Sequence, residues 1–287
     1  MAVDPGAGTG VTLRSFTAVD RDAVLELVNA DRLPGRPAVT AAMLDSAAAG
    51  RQPGRSAVPP GLEGLRTEVL LSAGGEVLGA VCHATRVEDG AAVLVWLHCR
   101  DDDQALAQAL INHTLVQLGR RTVHAFTEST AMSLAGLPFR NRPGTRRALE
   151  ASGFSGRDQQ RYLHHRLDTL SPRLYVLADL TERPDAPGWY LHLRERDGTC
   201  IGQAVIGPPV EDTVMLEWIT LAPGRQRLGH ILFEQCLTNL ADRGIREVTT
   251  CLDAPNSGQP ARDAVLQLHE AAGFHEIDQL HTFSRRP

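Results

Sequence analysis

Apolar residues recur along this chain in two rhythms, and the rhythms predict its elements. Alternating or continuous apolar runs over Val11–Phe16, Glu68–Ala73, Val77–Arg86, Ala91–Cys99, Val123–Phe126 and Arg161–Leu167 read as strands. Helical spacing runs over Asp20–Asn29, Thr40–Ala49, Gln104–Leu118 and Pro143–Ser152, with Asp20 and Thr40 as N-caps and Gly153 as the stop. Gly74-Gly75 turns a hairpin, and the Pro- and Gly-rich stretch from Pro53 to Gly64 reads as a loop. Arg161–Leu167 is expected to close the sheet of this first half.

The same order of elements returns from Leu174. A short strand is followed by a hairpin of Trp189–Arg194 and Cys200–Gly207 around Asp197-Gly198. Strand Val214–Leu221, helix Gly229–Arg243, strand Glu247–Leu252, helix Ala261–Ala272 and strand Gln279–Ser284 follow. The two halves also match residue by residue. Ala92-Val93-Leu94-Val95-Trp96-Leu97 resembles Val214-Met215-Leu216-Glu217-Trp218-Ile219 at an offset of 122 positions. Leu149-Glu150-Ala151-Ser152-Gly153-Phe154 matches His269-Glu270-Ala271-Ala272-Gly273-Phe274 at an offset of 120. Ordered matches at nearly constant offset indicate a duplicated domain. The expected division is a disordered lead over residues 1–10, one domain over 11–168 and a second over 169–287. Between Leu180 and Trp189 the second copy has no room for the two early helices of the first.

Composition narrows the class. With 43% hydrophobic and 22% charged residues the chain is an ordinary globular protein, and no window approaches the ~18 unbroken apolar residues of a membrane span. The first residues lack the pattern of a signal peptide, so a cytoplasmic protein with no membrane partner is expected. All 29 basic residues are arginine, a bias of a GC-rich, bacterial genome. Net charge is −5, which disfavours non-specific nucleic-acid binding. The densest basic cluster, Arg140, Arg142, Arg146 and Arg147, is the one candidate contact for tRNA. Five widely spaced cysteines without a C-x-x-C pair read as reduced thiols, and no metal-ligand spacing appears, so no metal is expected.

A strand running into a glycine-bearing turn and then a helix presents backbone N–H groups to an anion. In the second half this turn is Leu221-Ala222-Pro223-Gly224-Arg225-Gln226-Arg227-Leu228-Gly229. The order of elements, this turn, and the later His269–Phe274 segment together resemble the GNAT acetyltransferase superfamily, in tandem and over nearly the whole chain. That resemblance implies an α/β fold of two GNAT-like domains, each a mixed, mostly antiparallel sheet flanked by helices, with the fourth and fifth strands splayed.

The resemblance also implies an N-acyltransferase that passes an acyl group directly to an amine of a small molecule or peptide, with acetyl-CoA or another acyl donor as co-substrate. The donor pyrophosphate is then expected at Leu221, Arg225, Arg227, Leu228, Gly229 and His230, and the coenzyme arm at Asn256. An alkyl amine of pKa near ~10 costs about 4 kcal/mol to deprotonate at pH 7. Glu217, on the strand where such enzymes place a carboxylate, is the candidate general base, and its first-half equivalent is Val95. His269 stands where the family has a tyrosine that protonates the leaving thiolate, and is the candidate acid.

Two departures matter. Arg227 stands where the family's first loop glycine is expected. The first half has Asp101, Asp102 and Asp103 in its loop and no glycine; a carboxylate ~8 Å from a phosphate charge costs roughly 2 kcal/mol at an effective dielectric near 20. The first half is therefore expected to bind no coenzyme A, and to serve as a structural partner or a wall of the acceptor site. The same departures leave two alternatives: an amide-forming transferase fed by an aminoacyl-tRNA, and a non-catalytic GNAT-like binding protein.

Overall fold

The computed structural model describes residues 10–49, 61–167, 178–184, 187–254 and 260–287. In chain order the first half forms β1 (Thr12–Ser15), α1 (Arg21–Ala30), α2 (Ala41–Ala48), β2 (Leu62–Leu71), β3 (Val77–Arg86), β4 (Ala92–Cys99), α3 (Gln104–Leu118), β5 (Val123–Ala125), β6 (Leu137–Pro138), α4 (Pro143–Ala151) and β7 (Ser155–Arg166). The second forms β8 (Ala178–Glu182), β9 (Trp189–Arg194), β10 (Cys200–Ile206), β11 (Thr213–Leu221), α5 (Gly229–Ala241), β12 (Glu247–Asp253), α6 (Pro260–Ala271) and β13 (His275–Arg285). Leu174, where the second copy was expected to start, lies outside the described residues, as do residues 53–60 of the expected loop. β2 begins at Leu62, earlier than the alternation from Glu68 suggests.

Local chemistry sets the element ends. Thr40 caps α2 by accepting from the Met43 amide. Asp20 makes no such cap to α1. Its carboxylate turns back to Arg14, at 2.7 and 2.6 Å, and to the Thr17 amide, because a two-pronged guanidinium pair outweighs a single amide contact. The repeated Gly-Phe segments prove to be one device used twice. Gly153 and Gly273 take positive φ of 82° and 91°, and the amides of Phe154 and Phe274 donate to the carbonyls of Leu149 and His269, each at 3.0 Å. That bond pattern closes a helix end, and the phenylalanine beyond it is buried in both copies.

The chain divides into two compact units that are not consecutive in sequence. Unit 1 comprises Met1–Arg32, Ala38–Gln159 and Gln279–Pro287; unit 2 comprises Leu33–Pro37 and Gln160–Asp278. A cut at 168 would keep each sheet within one half. Instead the last strands are exchanged: β7, expected to close the first sheet, pairs antiparallel with β12, and β13 pairs with β5.

In unit 1 the strands run β1-β2-β3-β4-β5-β13, with β6 on β13. Helices α1 and α2 cover one face through Val24, Leu44 and Ala47 against Val69, Ala80 and Trp96. Helices α3 and α4 cover the other through Leu110, Ile111 and Leu149 against Leu70, Val81 and Leu97. In unit 2 the order is β7-β12-β11-β10-β9-β8, and α5 packs Leu232, Phe233, Cys236 and Leu240 onto Leu191, Val214, Leu216 and Val248. Both sheets are antiparallel except at one place. β4 and β5 run parallel for only three paired positions, Ala92–Leu94 with Val123–Ala125. β11 and β12 do so for four, Thr213–Leu216 with Glu247–Thr250. Beyond these the paired strands part, and this is the splay expected from the sequence.

Candidate active site

The splay begins at a β-bulge in each unit. Between β10 and β11, Ile206 pairs with Leu216 and Val205 with Trp218, so Glu217 is the extra residue. Between β3 and β4, His83 pairs with Leu94 and Cys82 with Trp96, and the extra residue is Val95. A bulge bends its strand and re-aims the inserted side chain. The position aligned by sequence repetition is thus a structural feature in its own right. It carries a carboxylate in one copy and a buried valine in the other.

Glu217 lies on an open surface. Its Oε2 accepts from Arg183, which follows the end of β8, at 2.8 Å, and the Glu217 side chain is 36% exposed. A side chain at Gly207 would place its Cβ 3.3 Å from Oε1, so the glycine leaves the carboxylate room. The Arg183 guanidinium lies 5.6 Å from the centre of the Tyr190 ring. Trp218, next along β11, is 45% exposed, whereas Trp96 in the first copy is 1% exposed beneath α1 and α2. The difference follows from the chain: only residues 183–188 join β8 to β9, too few for two helices.

The turn expected from the sequence to hold a donor follows directly from β11. The Arg225 amide donates to the Ala222 carbonyl at 3.0 Å, with Gly224 at φ 78° in the third position, the conformation a type II turn after Pro223 requires. A 3-10 turn, Gln226–Leu228, then leads into α5, whose N-terminus has no side-chain cap. This end of α5 is the positive end of the helix dipole. Arg227 and His230 are exposed beside it. Arg225 forms an ion pair with Glu195 at 2.5 Å, so its charge is already partnered. Gly229 is buried, and a Cβ there would lie 2.7 Å from Leu268 Cδ2 and 3.3 Å from Leu221 Cδ1. The glycine thus lets α5 start hard against α6, a packing role independent of any phosphate. Leu221 supplies part of that contact, and Leu228 packs on the same core. Asn256 lies outside the described residues.

Along α5 a cleft of about 310 Å³ opens, lined by His230, Glu234, Leu237, Leu268 and Ala272 with the end of β7. It includes His230, in the first turn of α5.

The first copy fills the corresponding place with its own carboxylates. Asp103 Oδ1 accepts from the amides of Ala105 and Leu106 at 2.8 and 2.9 Å, capping α3. Asp101 and Asp102 adopt positive φ of 52° and 48°. Asp102 accepts from the Gly144 and Thr145 amides at the start of α4, from the Thr145 hydroxyl, and from Arg142 Nε at 2.9 Å. The side chain of Arg142 is 3% exposed and also pairs with Asp31 at 3.0 Å. This corrects the basic patch read from the sequence. Arg142 is an internal counter-ion, Arg146 lies 4.3 Å from the centre of the Phe139 ring, and Arg140 and Arg147 are left at the surface. A continuous tRNA-binding stripe is not formed.

His269 is a second correction. It is 3% exposed, with Nδ1 2.8 Å from the Val265 carbonyl and the rings of Phe233 and Phe274 edge-on at 4.6 and 5.5 Å. Burial pushes its imidazole below the usual histidine range, against the Val265 contact that favours the charged form. The position expected from the sequence to carry an acid holds a core histidine.

One contribution gave no signal in the sequence. Residues 33–37, from the connection between α1 and α2, belong to unit 2. Tyr162 on β7 donates to the Pro34 carbonyl at 2.8 Å. A Cβ at Gly35 would collide with His164 and Thr249, and the half-buried Arg36 interacts electrostatically with Tyr162 and Cys251. A five-residue segment of the first half thus covers the β7–β12 edge of the splay. Burial pushes the Cys251 thiol up to about 12, against the nearby Arg36 charge, so this cysteine is not a nucleophile. Among the described residues no cluster has the composition and geometry of a metal site, and no helix is long and apolar enough to cross a membrane.

Set against known structures, the class is clear: this is the fold of GNAT acetyltransferases. The particular form is the tandem one. A tandem GNAT protein from the clavulanic acid biosynthesis pathway, solved without AcCoA, superposes over 96% of this chain and 98% of its own, at TM-score 0.65 and 16% identity. A GCN5-related N-acetyltransferase from Sphaerobacter thermophilus superposes over 96% of both chains, at TM-score 0.62 and 15% identity. A GNAT-family acetyltransferase from Colwellia psychrerythraea covers 96% of this chain and 100% of its own, at TM-score 0.54 and 11% identity. No protein-family model and no curated protein matches the chain by sequence.

Proposed function

We propose that unit 2 is an N-acyltransferase and that the first copy is its non-catalytic partner. One observation carries the reading. The copy whose helix start lacks a side-chain cap has a carboxylate at the strand bulge, and the copy whose helix start is capped by Asp103 has a valine there. Anion-holding and proton-accepting capacity are kept together in one copy and absent together from the other.

In this reading the donor is an acyl thioester, with acetyl-CoA as the leading candidate, and it supplies the activated acyl carbon. The α5 amides, Arg227 and His230 hold its diphosphate, and the cleft along α5 takes the rest of a long donor. The residues present fit such a group: amides without a side-chain partner, an exposed guanidinium, and a glycine turn that brings the backbone close. Glu217, directly or through one water, takes the proton from the acceptor ammonium. The amine nitrogen then bonds to the acyl carbon, and the C–S bond breaks with its electron pair going to sulfur.

Titration calorimetry with acetyl-CoA and with a charged tRNA tests the donor. Saturable coenzyme binding that is weakened by Arg227→Gln supports the reading. Binding of charged tRNA alone would instead favour an amide-forming transferase, and silence toward both would favour a binding protein.

A further inference from the structure

We infer that Asp31 is a positioning residue for the acceptor side of unit 2, acting through the turn that follows it. The inference rests on the acyltransferase reading only for calling that side the acceptor's. Leu33-Pro34-Gly35-Arg36 form a turn in which the Arg36 amide donates to the Leu33 carbonyl at 3.1 Å. Gly35 has φ 73°, as a type II turn with proline in its second place requires. The tip of the turn is what meets the strands of unit 2. The Pro34 carbonyl accepts from Tyr162, and Gly35 sits against His164 and Thr249 with no room for a side chain. Thr249 and Cys251 alternate along β12 with Val248 and Leu252, which belong to the core under α5, so the turn lies on the opposite face. The last parallel pair of β11 and β12 is Leu216 with Thr250, which makes Glu217 and Cys251 the first residues on the two sides of the splay. Arg36, which interacts with Cys251, is thereby set at the mouth of that splay.

Both ends of the turn are fixed in the first copy. Asn29 grips the returning chain: its side chain accepts from the Val39 amide at 2.8 Å and donates to the Val39 carbonyl at 3.2 Å. Asp31, directly after α1, pairs with Arg142 at 3.0 Å and meets His98 Nδ1 at 2.7 Å. Arg142 is tied in turn to Asp102 and to the Leu97 carbonyl. Asp31, His98, Arg142 and Asp102 are all nearly enclosed, so solvent weakens these charge contacts little. A short turn with fixed ends has little freedom left to lose when its tip docks, and the docked place is favoured over looser ones. The loop that stays uncapped in the second copy thus serves, in the first, to anchor a turn that belongs to unit 2.

Iodoacetamide labelling of the full chain at pH 8, read by peptide mapping, tests the anchor, because the Cys251 thiol reacts only when its cover opens. Asp31→Ala should speed Cys251 labelling by about tenfold or more and leave Cys82 and Cys236 within about twofold. Asp31→Asn, which keeps an acceptor for His98 but not the charge, should give a smaller rise. Asp20→Asn is the control: it breaks the Arg14–Asp20 pair of the same copy, which is not part of the anchor, and should leave Cys251 within about twofold. Added to Arg36→Ala, Asp31→Ala should speed labelling less than it does alone, since both act on one turn. Circular dichroism checks folding, and should Asp31→Ala fail to fold, Asp31→Asn is compared with Asp20→Asn in its place. An unchanged Cys251, an equal rise in Asp20→Asn, a uniform rise at Cys82 and Cys236, or independent effects of Asp31 and Arg36 would each overturn the inference. The acyltransferase reading fails separately, because labelling reports the turn whether or not an acyl group moves. If Asp31 behaves as stated and acetyl-CoA does not bind, the anchor stands and the proposed reaction does not.

Discussion

Asp102 and Arg142 form an ion pair of 2.9 Å at the start of α4, with both side chains nearly enclosed. Together with the Asp103 cap on α3, the pair makes the first copy's loop electrostatically complete without a ligand. Removing one partner of a buried pair leaves an unmatched charge, a loss of roughly 3–5 kcal/mol. Asp102→Ala should therefore lower stability by about that amount in urea unfolding, with Asp31 limiting the damage. Asp103→Ala removes only a helix cap and should cost about 1 kcal/mol. Neither change should let the first copy bind acetyl-CoA, which titration stoichiometry will check.

Glu217→Gln keeps the shape of the side chain and its contact with Arg183 while removing the proton acceptor. General bases contribute roughly 10²–10⁴ in rate, so kcat at neutral pH should fall by about two orders of magnitude with the donor Kd nearly unchanged. Raising the pH should recover part of the loss, since more of the amine is then already neutral. A fall of about twofold or less would remove Glu217 from the role of base.

Acid sensitivity has an identifiable source. In the unfolded chain His269 binds a proton near pH ~6.5, whereas burial holds its folded-state value lower. Below pH ~6.5 the unfolded state binds more protons, so stability rises with pH through this window and is lost as the pH falls. His98, shifted the same way mainly by burial, adds to the effect. His269→Leu should flatten the stability profile between about pH 7 and 5. At lower pH Asp20, held at about 2 by Arg14, loses its ion pair; Asp20→Asn should remove that further loss between about pH 4 and 2.

Much of this was legible in the sequence because it is locally encoded. Helix periodicity, the Gly-Phe helix ends, and the β4–β11 match each depend on residues close together in the chain. The duplication itself exposed the asymmetry between Val95 and Glu217. The missing parts depend on distant residues. No local pattern distinguishes β7 closing its own sheet from β7 pairing with β12, since both bury Leu163 equally well. The Leu33–Pro37 segment looks like any short Pro- and Gly-bearing connection, and its insertion follows from unit 2 lacking two helices of its own. Arg142 and His269 were misread for one reason: the sequence shows charge and motif position, while burial decides whether a charge meets solvent or a counter-ion.

Thiol chemistry offers a check on the inserted segment. Of the five cysteines only Cys200 is exposed. Burial lifts Cys82, Cys99, Cys236 and Cys251 to about 12. Since the thiolate is the reacting species, iodoacetamide at pH 8 should label Cys200 quickly and the other four slowly. Cys251 differs from the rest in being covered by residues far away in sequence, through Arg36 and the Tyr162–Pro34 contact. Arg36→Ala should loosen that cover and raise Cys251 labelling by tenfold or more, leaving Cys82 and Cys236 as they were. Peptide mapping by mass spectrometry distinguishes the sites. Uniform acceleration of all four would mean that the substitution acts through global unfolding, and an unchanged Cys251 would mean that the Leu33–Pro37 segment does not shield the splay.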